Sequence, residues 1–102
     1  MTLEGKVALV TGAGRRLGRA IALGLAQDGV RVAVHFGSSG DEARETVRAI
    51  EQAGGDASSF QADLRDPETH ERLITEVAES FGGLDILVNS AASMMRTPLS
   101  FR

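Results

Sequence analysis

Lys6 to Gly29, KVALVTGAGRRLGRAIALGLAQDG, is the stretch that most limits what this chain can become. Val7 to Val10 is wholly apolar and long enough for one strand buried on both faces. Thr11, Gly12, Ala13 and Gly14 then break it with small residues. From Leu17 onward the apolar period changes: Leu17, Ala20, Ile21, Gly24 and Leu25 fall on one face of a helix. That helix is expected to start at Arg16 or Leu17 and to run to Asp28, with Gly29 as its left-handed stop. Strand, glycine turn and helix in this order bring backbone N–H groups and a positive helix end to one point. Such a point is an anion site, and a phosphate is its usual occupant.

The same alternation continues. Val30 to Val34 reads as a second strand, followed by the glycine- and serine-rich loop His35-Phe36-Gly37-Ser38-Ser39-Gly40. Ser39 and Glu42 have capping-box spacing, and Ala43, Val47 and Ile50 give the apolar face of a second helix that Gly54 and Gly55 end. Ala57 to Ala62 has one large apolar side chain, Phe60, and suits an edge strand. Asp66-Pro67 is an N-cap followed by proline at the first helical position. Leu73, Val77 and Phe81, flanked by Ile74 and Ala78, form the inner face of a third helix, stopped by Gly82-Gly83. Leu84 to Val88 is the fourth strand, and Asn89 to Ser93 a loop of small residues.

Four strands alternating with three helices over short connections predict an α/β, doubly wound parallel sheet in strand order 3-2-1-4. The order reverses between strands 1 and 4, and ligands of such sheets bind at that crevice. The glycine turn and the Asn89 loop both open into it. Helices 1 and 2 are expected on one face and helix 3 on the other, with strand 4 an open edge.

Composition removes several function classes. No apolar run approaches the ~20 residues of a membrane span. MTLEGK has no basic region leading into a long apolar segment, so no secretory signal is expected. The absence of Cys excludes disulfides, thiolate metal sites and a Cys nucleophile within these residues, and fits a cytoplasmic protein. A net charge of -3 and few stacking aromatics disfavour nucleic acid, although Arg15, Arg16 and Arg19 cluster at a helix start. No metal-ligand spacing is present. Tyr and Trp are absent, so no tyrosine acid acts from within these residues.

Thr11, Gly12, Arg16 and Gly18 spell TGxxxRxG. This resembles the TGxxxGxG of short-chain dehydrogenases/reductases, with Arg16 in place of the middle glycine. The pteridine reductases are similar in carrying TGxxxRLG, which Arg16-Leu17-Gly18 matches. Asp63-Leu64 resembles the family's DL or DV pair, and Asn89-Ser90-Ala91-Ala92 stands where it carries NNAG. Ser93 and Thr97 to Leu99 again resemble pteridine reductases, while Met94 stands where those enzymes carry an aromatic that stacks on the pterin. Met94 and Met95 either line an apolar pocket or fill the core.

The resemblance implies a Rossmann domain. Here residues 1–102 would be a single partial domain, cut after the fourth strand. It implies that the Asp63 carboxylate accepts from the adenine amino group, beside the Leu64 backbone, or else that Asp63 caps the turn. It implies that Asn89 steadies the central strands while the loop through Ala91 lines the ribose and nicotinamide. The family's catalytic Ser, Tyr and Lys, and the helices of its usual homo-oligomer, fall beyond Arg102. The 102 residues alone are expected to bind nucleotide weakly and to turn nothing over.

Cofactor choice is read from the second strand's end. Folds of this kind place an acidic residue about 20 residues past the glycines to hold the ribose 2′-OH. Here that end is His35-Phe36, with no acid before Asp41. Arg15 and Arg16 stand in the facing turn, Ser38 and Ser39 offer hydroxyls, and His35 is a further donor. Arginines at a helix start oppose its dipole unless an anion is present. A 2′-phosphate suits them, so NADP(H) is expected over NAD(H). Gly12, Gly14 and Gly18 complete the expected cofactor site. The function implied is an NADPH-dependent reductase of a carbonyl or pterin-like substrate. The alternatives are an inactive nucleotide-binding or regulatory module and a basic-helix nucleic-acid binder.

Overall fold

The computed structural model describes residues 3–12, 16–38 and 40–90. It contains β1 (Val7–Thr11), α1 (Arg16–Gln27), β2 (Arg31–Phe36), α2 (Gly40–Gln52), β3 (Ala57–Gln61), α3 (Pro67–Phe81) and β4 (Ile86–Asn89). The strands form one parallel sheet in the order β3-β2-β1-β4, as the alternation requires. Thr11 pairs with Asn89 where the order reverses.

The sheet has a core on each face. Ala8, Val10, Val32 and Val34 pack with Ala22 of α1 and with Ala43 and Ile50 of α2. Val7, Leu9 and Ala33 pack with Leu73, Val77 and Phe81 of α3. The strand period of two explains the division, since alternate residues of β1 and β2 point to opposite faces. α3 begins as Asp66-Pro67 predicts: the Asp66 side chain accepts from the Glu68 N–H at 3.0 Å. It ends at Gly82, whose φ is 82°.

Several boundaries differ from the sequence expectation, each for a local reason. β2 starts at Arg31 because the Val30 N–H closes α1, donating to the Leu25 carbonyl at 3.1 Å. Gly29, at φ 86°, makes that closure possible, and Glu4 packs where a Cβ on it would lie. β2 continues through His35 and Phe36 because β3 pairs with both. β4 starts at Ile86 because the Asp85 carboxylate takes the Val7 N–H at 2.9 Å.

The face of α1 is the larger correction. Gly18 and Ala22 are its buried residues, whereas Leu17, Ala20 and Gly24 are exposed. Ile21 and Leu25, also on the expected face, pack partly buried against the same core, so the inner face keeps those two and turns away from Leu17. In α2, Thr46 is buried beside Ala43 and Ile50, and its hydroxyl donates to the Glu42 carbonyl at 3.1 Å. The Ser39 capping box lies outside the described residues.

At the amino ends of the strands, Arg31 joins three elements. Its Nε donates to Asp56 Oδ2 at 3.0 Å and its Nη1 to the Phe81 carbonyl at 3.1 Å. Its guanidinium also lies 5.1 Å from the Phe81 ring centroid.

Candidate functional site

The carboxyl ends of β1, β2 and β4 converge beside the start of α1. β1 ends at Thr11, and Gly12 leaves it at φ 69°, a left-handed turn that glycine accepts without strain. Across the strand reversal, Thr11 Oγ1 donates to Asn89 Oδ1 at 3.0 Å, with the Val88 carbonyl at 3.3 Å. The Ser90 hydroxyl donates to the Thr11 carbonyl. β1 and β4 are therefore tied beyond their ladder, where the crevice opens. The Asn89 side chain takes part, while Thr11 and Ser90 were not among the expected ligand residues. Both stand in motifs read from the sequence, but that their hydroxyls meet across the strands appears only once the register pairs Thr11 with Asn89.

α1 opens with Arg16, an exposed residue, and Leu17, which is 65% exposed. Gly18 is buried. No acidic residue lies in the first turn, so the helix's positive end is not neutralised from within. Arg19 is directed sideways to Glu45 of α2, 3.9 Å away, and serves helix packing.

His35 corrects the sequence reading. It was expected to donate to a 2′-phosphate, but it is 3% exposed. Its Nδ1 accepts the Gly12 N–H at 3.0 Å, and its Nε2 meets the Ala62 carbonyl at 2.9 Å. With both nitrogens engaged inside the fold, the ring has no donor left for a ligand. Burial lowers its pKa from 6.5, which the Ala62 carbonyl opposes and His70 reinforces.

Phe36 packs partly buried against the α1–α2 core, and Ser38 beyond it is exposed. The loop between them is held by Gln61 of β3, whose Nε2 donates to the Gly37 carbonyl at 3.1 Å. Asp63 is exposed after β3. Its Oδ1 accepts the Arg65 N–H at 3.1 Å and Nε at 3.0 Å, and its Oδ2 accepts Nη2 at 2.8 Å. These bonds, the guanidinium's first, hold the Asp63 carboxyl down at about 2. Asp63 thus caps its turn, one of the two roles expected for it. Leu64 is partly buried against the α3 core. Gly14, Arg15, Ser39 and Ala91 lie outside the described residues, as do Ser93, Met94, Met95 and Thr97 to Leu99.

Arg16 and Ser38 are exposed at the start of α1 and in the loop after β2, and His35 and Phe36 leave the end of β2 without a carboxylate. Among the described residues no cluster of three His, Cys, Asp or Glu side chains could hold a metal ion. No helix among them is long and apolar enough to cross a membrane.

Similar proteins agree with this architecture. A versicolorin reductase of Emericella nidulans is 47% identical over 89 residues, which are 87% of this chain and 34% of that enzyme. A dehydrogenase/reductase structure from Sinorhizobium meliloti superposes with a TM-score of 0.85 at 49% identity, covering 87% of this chain and 35% of that one. A short-chain dehydrogenase from Burkholderia cenocepacia, solved in complex with NADP, gives 0.82 at 48%, covering 87% and 36%. The chain spans about a third of the length of these relatives. The short-chain dehydrogenase family model matches residues 6–101, and the chain belongs to that family.

Proposed function

We propose that this chain supplies the dinucleotide-binding part of an NADP(H)-dependent oxidoreductase. One observation carries the cofactor choice. The end of β2 has no acid to hold a ribose 2′-OH, while Arg16 opens α1 and Ser38 lies exposed in the loop after β2. In this reading the pyrophosphate rests on the amides from Gly12 through Gly14 to Gly18. Arg15, Arg16, Leu17, Ser38 and Ser39 surround the adenosine phosphate, and Phe36, Asp63 and Leu64 border the adenine. Asn89 and Ala91 border the ribose and nicotinamide. His35 supports the turn from behind. NADP(H) would supply or accept the hydride.

Titrating the protein with NADPH and with NADH tests this. The expected result is tighter NADPH binding, and Arg16→Ala should narrow the preference. Equal or tighter NADH binding overturns it. A carbonyl or pterin-like substrate, a homo-oligomer and a cytoplasmic setting belong to the same proposal. They draw on the TGxxxRLG and TPL motifs and on the lack of Cys. A second reading is a non-catalytic nucleotide-binding module. NADPH-dependent carbonyl reduction by the intact protein rejects that second reading.

A further inference from the structure

His35 is a buried titratable group that holds no ligand in the reading above. It lies on the same face of β2 as Ala33, next to the strand's last residue. Its ring spans 3.0 Å to the Gly12 amide and 2.9 Å to the Ala62 carbonyl. An amide N–H only donates and a carbonyl only accepts, so one arrangement satisfies both: Nδ1 bare and Nε2 protonated. The ring thereby joins the ends of β1 and β2 to the residue after β3. It also fixes the peptide plane at Gly12, where the chain turns away from β1.

We propose that His35 is a positioning residue of the dinucleotide site: its ring, clamped between the Gly12 amide and the Ala62 carbonyl, holds the start of the glycine turn in the shape that receives the pyrophosphate. This rests on the reading of that turn as the dinucleotide site.

The clamp works in one charge state. A protonated ring carries N–H on both nitrogens, and Nδ1–H would then face the Gly12 N–H, donor against donor. Burial and His70 of α3 both disfavour that state. From β1 the neighbours are Thr11 and Gly12, which carry no charge, and Asp63 beyond Ala62 is engaged by Arg65. A histidine whose folded pKa is lowered contributes fully above 6.5 and loses its contribution as pH falls through the folded value. Dinucleotide affinity should fall in the same window.

The intact protein, His35→Leu and His35→Asn are titrated with NADPH from about pH 8 to about pH 5. His35→Leu removes the acceptor, whereas His35→Asn keeps a non-titrating carbonyl oxygen close to the place of Nδ1. The 2′-phosphate itself titrates near pH ~6, so the readout is the difference between native and His35→Asn. At about pH 8, His35→Leu should bind roughly tenfold more weakly and His35→Asn should recover most of that loss. Toward acid the native protein should lose affinity more steeply than His35→Asn. Parallel pH profiles overturn the inference, as does native-like binding by a folded His35→Leu. A folded native protein that binds neither NADPH nor NADH overturns the dinucleotide reading together with this one. Should His35→Leu not fold, nitrogen NMR of the native ring decides. A bare Nδ1 and a Gly12 amide that loses protection, relative to its intrinsic exchange rate, on acidification support the clamp, and a protonated Nδ1 in the neutral ring overturns it.

Discussion

Asp63 shows how a tight turn can set the charge state of one side chain. Its carboxylate stands exposed after β3 and accepts three bonds from Arg65. Because its pKa is lowered, the Asp63–Arg65 pair is intact above the usual 3.8 and is lost as pH falls through about 2. Carbon NMR of the Asp63 carboxyl should show a midpoint near that value, and Arg65→Ala should return it toward 3.8. An unchanged midpoint in Arg65→Ala would refute the assignment. Residues of this kind were partly legible in the sequence. Asp63 was recognisable from its place after a strand, but Arg65 was not, because a turn brings it back onto Asp63 only in the folded chain. His35 was misread for the opposite reason. Its place at the strand end was visible, but the direction of its ring depends on which face of β2 is covered by α3.

Among the elements, α3 and α1 mark the limits of periodicity. Leu73, Val77 and Phe81 are large, apolar and four apart, so hydropathy alone finds the inner face of α3. In α1 the fully buried residues are Gly18 and Ala22, which carry little hydropathy; of the expected face Ile21 and Leu25 pack partly buried on the core, while Leu17 lies outside it. Two substitutions separate these cases. Leu73→Ala leaves a cavity and should cost about 2–5 kcal/mol of unfolding free energy. Leu17→Ala, at an exposed position, should stay within about 0.5 kcal/mol. Urea denaturation of both variants measures the contrast, and comparable losses would place Leu17 in the core. Strand ends were legible only to within two residues, since Val30 and Asp85 were claimed by a helix closure and by a side-chain bond.

For the molecule as a whole, the order β3-β2-β1-β4 followed from alternation and crossover handedness, before any contact was known. The same order leaves Leu87 of β4 exposed on the α3 side among the described residues, because α3 packs over β1 and β2. An exposed β4 and a covered β2 are two results of one asymmetry.

Arg31 gives that asymmetry a practical meaning. Its guanidinium fastens Asp56 and Phe81 at the amino ends of the strands, far from Gly12. Arg31→Ala should therefore lower the melting temperature, with a loss of about 1–2 kcal/mol, and leave NADPH affinity as it was. A matching drop in affinity would show the two poles to be mechanically linked. One pole of this sheet acts as a hinge-free foundation, so mutational damage there is felt as thermal fragility and not as lost recognition.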